Sequence, residues 1–159
     1  KDKLMFLQNI AALAKQDIIN ISPINNSILI RITDPQQPLL ELKYPEKYND
    51  ILILKFLDTN NKNEDGAFLL KDAMTILNFI DKNKNAENIF VHCDFGQSRS
   101  PAIAQSLAKR YDFDDTNIIY SHDEVIPNKL VLSIMDMYLD EFSNSKNKSK
   151  DILLSNLNL

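Results

Sequence analysis

Three stretches of the chain are rich in consecutive apolar residues rather than alternating ones: SILIRIT (27–33), ILILKF (51–56) and NIFVHC (88–93). A strand with one face in water alternates apolar and polar residues, so these runs predict strands buried on both faces, as in a parallel sheet covered by helices. The intervening sequence supplies the helices. Leu69, Ala73, Ile76, Leu77 and Ile80 recur at helical spacing up to the polar run DKNKN. RSPAIAQSLAKRY (99–111) reads as a second helix, with Pro101 in a first turn that needs no N–H donor there. Val131, Ile134, Met135, Tyr138 and Phe142 align along a third, for which Asn128 is a suitable N-cap. Near the start, KLMFL (3–7) reads as a strand and NIAALAKQ (9–16) as a short helix; DFDDTNIIYSHDEVIP (112–127) is irregular or carries one short helix. Strands alternating with helices predict a single α/β domain, a mainly parallel β-sheet flanked by helices on both faces.

With 159 residues the chain fits one domain, placed at 1–142, and a polar linker with a leucine-rich tail at 143–159. A net charge of -4 without a basic stripe argues against a nucleic-acid partner. No apolar run approaches the roughly 20 residues that cross a bilayer, so no membrane partner is expected. No small-residue cleavage site follows the first apolar stretch, and a cytoplasmic location is expected, with export as an effector left open. One cysteine forms no internal disulfide and builds no multi-thiolate zinc centre. No metal or cofactor is expected.

That cysteine sits in the densest cluster of scarce residues. His92, Cys93, Gly96 and Arg99 fall within eight positions of a chain with only two glycines and two histidines. The order is apolar strand, loop Asp94-Phe95-Gly96-Gln97-Ser98, then Arg99 at the mouth of a helix, which is where open α/β sheets bind ligands. A loop of that length can turn its N–H groups inward and form an anion nest continuous with the helix N-terminus. Cys93, facing those dipoles, would be held as a thiolate. The planar fork of Arg99 can pair two phosphoryl oxygens as charge spreads in a loose transition state. Gly96 can take a positive φ at the curl. The Ser100 hydroxyl can support the sulfur as leaving group, and His92 can hold the loop from beneath. Singly, each residue is as ordinary as a buried thiol or a structural histidine. Jointly, H-C-x-x-G-x-x-R-[ST] arises by chance in roughly one in tens of thousands of chains this long.

The run VHCDFGQSRSPAIA (91–104) resembles the HCxxGxxRS signature of the cysteine-dependent protein tyrosine phosphatases, and within them the small dual-specificity phosphatase-like proteins. Weaker similarity extends through IRITDP, ILILKFLD, the Leu69–Ile80 helix and PNKLV. The resemblance implies a phosphocysteine intermediate on Cys93, phosphate held by Arg99 and the loop amides of Asp94 to Ser98, and an upstream aspartic acid as proton donor. Asp58, 35 residues before Cys93 at the end of ILILKFLD, is assigned that role, with Asp65 in the same polar loop as the alternative. Asn128 resembles a family position that hydrogen-bonds the active-site loop, a role compatible with capping a helix. The loop holds no lysine or arginine besides Arg99, unlike related phosphatases of inositol phospholipids, so lipid substrates are disfavoured. The larger tyrosine-specific enzymes have an aromatic recognition loop with no clear equivalent here. The expected partner is a phosphorylated protein, carrying phosphotyrosine and potentially phosphoserine or phosphothreonine.

Three other readings fit parts of the pattern. A phosphate-binding pseudophosphatase would keep the cradle and lack an effective acid. A rhodanese-like sulfur transferase also sets a cysteine in a strand-to-helix loop, although its loop is usually shorter. Reversible oxidation of Cys93 would follow from any accessible thiolate.

Overall fold

The structure, a computed structural model, describes residues 4 and 6–138. Strand β2 (Ser27–Thr33) is buried at all seven positions, the outcome that its Ile- and Leu-rich run predicts, with Ser27, Arg31 and Thr33 buried along with it. It pairs in parallel with β3 (Asp50–Lys55) on one side and β4 (Asn88–Cys93) on the other. Strand β1 (Asn9–Ala14) lies beyond β4, and the two-residue β5 (Ile119–Tyr120) closes the far edge. All five strands are parallel, in the order β3-β2-β4-β1-β5. Strand β4 is therefore central, and β3 is an edge where Ile53 is half exposed despite the apolar sequence.

Two of the expected elements change identity. NIAALA is a strand rather than part of a helix, and only Lys15–Ile18 (α1) after it is helical. Alanine favours helices intrinsically, but here Ala12 and Ala14 pair with Val91 and Cys93, and this tertiary pairing outweighs propensity. Leu4, Phe6 and Leu7 of the expected first strand lie in turn and coil. The segment expected to be irregular contains a single 3₁₀ turn (Asp115–Asn117) followed by β5.

The two faces of the sheet are covered unequally. Ile10, Ile28, Ile30, Ile89 and Val91 point to one side and pack against α2 (Leu70–Lys82), α3 (Arg99–Arg110) and a last helix, α4, described over 129–138. Residues one position on, Ala11, Leu13 and Leu29, point to the other side, covered by Ile18 of α1 and Tyr48 from a loop. This is the period-two alternation of strands with two different apolar faces. Asp72 starts α2 by accepting a hydrogen bond from the Leu69 N–H (2.8 Å), and Asn128 starts α4 by accepting one from Val131 N–H (2.9 Å). No described helix is long and apolar enough to cross a membrane. Phe142 and the expected tail lie outside the described residues.

Candidate active site

Because every strand runs the same way, all five C-terminal ends share one edge, and each delivers part of a single site. Strand β4 delivers Cys93 and the loop to Ser98, from which α3 starts at Arg99. Gly96 has φ of +70° and lies against the end of β1: a Cβ there would stand 2.6 Å from Ala14 N and 2.8 Å from the Leu13 carbonyl carbon. Only glycine suits both the left-handed backbone and this approach. The curl turns the Gly96 N–H onto Cys93 Sγ at 3.3 Å, and Ser100 Oγ lies 3.1 Å from the same sulfur. Cys93 is buried, at the base of a pocket of about 360 Å³ whose wall includes Phe95, Gln97, Ser98 and Arg99.

Arg99 is buried and held by the ends of two other strands. Its Nη1 donates to Asp34 Oδ1 (2.6 Å), just past β2, and to the Phe56 carbonyl (2.8 Å), just past β3. Its Nη2 lies 3.4 Å from Asp94 Oδ2, whose other oxygen is 3.7 Å from Lys15 Nζ. The Asp94 carboxylate is thus drawn into ion pairs at the side of the loop. Nothing in the spacing of the sequence singled out Asp34, 65 residues from its partner.

Asp58 stands three residues beyond the end of β3, in the wall of the Cys93 pocket. Its Oδ1 accepts hydrogen bonds from Ser98 Oγ (2.7 Å) and Asn128 Nδ2 (2.8 Å). Asp65 lies instead in a separate surface cleft with Lys55, Asn63 and Lys71. Asn128 combines several contacts: its N–H donates to Ser98 O (3.0 Å), its amide nitrogen also reaches Thr59 O (3.0 Å), and its amide oxygen caps α4.

His92 points to the opposite face of the sheet. Arg31 Nε donates to His92 Nε2 (2.9 Å), so the ring proton resides on Nδ1, which faces the Cys93 carbonyl at 3.4 Å. Burial, then the adjacent Arg31 charge, depress the imidazole pKa to about 4, and the ring is neutral at physiological pH. Arg31 is itself buried and spends a second donor on the Leu40 carbonyl (2.6 Å). Burial also lowers the Arg31 pKa and raises that of the nearby Tyr48 to about 12.

The remaining wall comes from the segment after β5, which sequence reasoning left without a role. Ser121 is tied to β1 and α1 through Ala14 N–H (2.8 Å) and Asp17 (2.6 Å). His122 Nε2 donates to Phe95 O (2.7 Å), and Ile126 N–H to Gln97 O (2.8 Å). Glu124 and Ile126 consequently stand at the mouth of the Cys93 pocket. Among the described residues, no group of three His, Cys, Asp or Glu side chains could hold a metal ion.

A cysteine-bearing loop between the central strand and a helix of a parallel sheet defines the class: the chain has the fold of the dual-specificity and tyrosine phosphatases. Solved structures carry that comparison. Human DUSP28 is 17% identical, with 90% of this chain and 98% of that one covered at a TM-score of 0.52. The human tyrosine phosphatase-like serine/threonine/tyrosine-interacting protein is 14% identical, with 73% and 78% covered at a TM-score of 0.50. No family model and no curated protein sequence matches the chain.

Proposed function

We propose that this protein is a cysteine-dependent phosphomonoester hydrolase acting on phosphotyrosine in proteins through a phosphocysteine intermediate. The observation that carries the proposal is the convergence on Cys93 Sγ of the Gly96 N–H and the Ser100 hydroxyl, with Arg99 and Asp58 in the same pocket. The dianionic phosphate sits among the amides of the loop from Asp94 to Ser98 and the start of α3. With Nη1 of Arg99 anchored to Asp34 and Phe56, the guanidinium's other N–H groups are the ones available to phosphoryl oxygens.

The Cys93 sulfur attacks phosphorus as the bond to the leaving oxygen breaks, and Asp58, protonated at that moment, gives its proton to that oxygen. Ser98 and Asn128 hold the carboxyl group for this task. In the second step water attacks phosphorus, the Asp58 carboxylate takes a proton from it, and the S–P bond breaks. The Ser100 hydroxyl donates to the departing sulfur, and inorganic phosphate leaves. His92 positions the loop without touching the reacting atoms, and Asn128 holds both the loop, through Ser98 O, and the Asp58 carboxyl group.

The test is hydrolysis of p-nitrophenyl phosphate with chelator present, by wild type and Cys93→Ser. Turnover abolished by the substitution is the expected result. No wild-type turnover, with orthovanadate still bound, would replace the enzyme by a phosphate-binding module. Thiosulfate sulfurtransferase activity would instead identify a sulfur transferase.

A further inference from the structure

Phosphate binding explains most charges around the pocket but not Glu124. Asp34 and Asp94 neutralise and orient Arg99, and Asp58 is hydrogen-bonded in place. Glu124 is exposed at the mouth, and it has no ion pair or hydrogen bond among the described residues. A carboxylate at the entrance to an anion site repels its ligand unless the ligand also brings a cation. Nor is Glu124 free to swing clear with a loose loop. Its backbone is pinned on both sides to the phosphate loop, by His122 to Phe95 O and by Ile126 to Gln97 O. The pinning also holds Ile126 as the second large apolar group beside Phe95 in the pocket wall. These side chains are 78% and 70% exposed, apolar surface left for a ligand to cover.

Resting on the phosphatase reading above, we propose that Glu124 selects peptides bearing a lysine or arginine next to the phosphotyrosine. The tyrosyl ring covers Phe95 and Ile126 while the neighbouring cation pairs with Glu124. Peptides with acidic flanks, and polyanionic phosphates generally, meet repulsion at the same point. An exposed pair of this kind contributes modestly. A cationic-flanked peptide should therefore bind about threefold to tenfold more tightly than its acidic-flanked counterpart, with the difference shrinking as salt rises.

The experiment measures dissociation constants by fluorescence anisotropy. It uses Cys93→Ser protein and three phosphotyrosine peptides identical except for lysine, alanine or glutamate beside the phosphotyrosine. The expected order of affinity is lysine, alanine, glutamate, with the spread collapsing in Glu124→Gln and reversing in Glu124→Lys. An equal affinity for all three, a spread that survives Glu124→Lys, or no binding of any peptide overturns the proposal. Hydrolysis of p-nitrophenyl phosphate by wild type separates this from the reading beneath it. Turnover without flank preference sinks the proposal alone; ordered binding without turnover sinks the phosphatase reading alone.

Discussion

Replacing His92 with asparagine should remove an acid-labile element from the fold. The imidazole is neutral in both folded and unfolded chains above its ordinary pKa of 6.5, and there it contributes no pH dependence. As pH falls below 6.5 the unfolded chain takes up a proton that the folded chain refuses, because burial and Arg31 hold the folded pKa at about 4. Stability is therefore lost through that window and stops falling from this source below the folded value. One pKa unit corresponds to about 1.36 kcal/mol, which makes the whole loss about 3 kcal/mol and the part between about pH 7 and about pH 4.5 about 2 kcal/mol. Urea unfolding of wild type and His92→Asn at those two pH values isolates the effect. Packing lost in the variant is common to both conditions and cancels in the double difference. The variant should lose about 2 kcal/mol less than wild type on acidification. A double difference below about 0.5 kcal/mol would show that His92 is protonated in the folded protein, which would refute the tautomer assigned to it and its contact with the Cys93 carbonyl.

Gly96→Ala should weaken orthovanadate binding by at least about tenfold and cost about 1–2 kcal/mol of folding stability from the left-handed backbone alone. Calorimetric titration and thermal unfolding measure the two, and unchanged oxyanion affinity would contradict the close packing of the loop on β1. Asp58→Asn should slow kcat on phenyl phosphate, whose leaving group needs a proton, by about 10²-fold or more, and slow p-nitrophenyl phosphate less. The same loss from Asp65→Asn, with Asp58→Asn active, would move the acid to Asp65. Asp34→Asn should raise the Kd for phosphate and lower stability by about 1–3 kcal/mol, because it removes the charged acceptor of a buried guanidinium. Binding and stability both at wild-type level would show that Arg99 is held sufficiently by Phe56 O and Asp94.

What was legible in the sequence was whatever is contiguous. The strand-loop-helix unit from Asn88 to Arg110 reads directly, because its apolar run, its glycine and its helical spacing are all local signals. The helix at Leu70–Lys82 is legible for the same reason. Strand β1 was misread because Ile-Ala-Ala-Leu-Ala carries a helix former at four of five positions, and only its parallel partners on both sides make it a strand. The two residues of β5 are too few to show a period. Asp34, Glu124 and Ile126 reach the site from the ends of β2 and β5, so their relevance depends on strand order, which periodicity does not encode.

That strand order also dictates when the site can exist. Strands β1 and β2 follow one another along the chain yet never touch, because β4 lies between them, and the Asn9–Asn88 side-chain hydrogen bond closes a separation of 79 residues. A nascent chain must carry two apolar strands with unsatisfied edges until β4 emerges, a wait that slows folding and exposes the edges to other chains. The segment that finally fills the gap is the one that ends in Cys93 and continues into the loop proposed to hold phosphate. On the function proposed above, oxyanion capture requires the centre of the sheet to be complete, and it would report directly on that step of refolding.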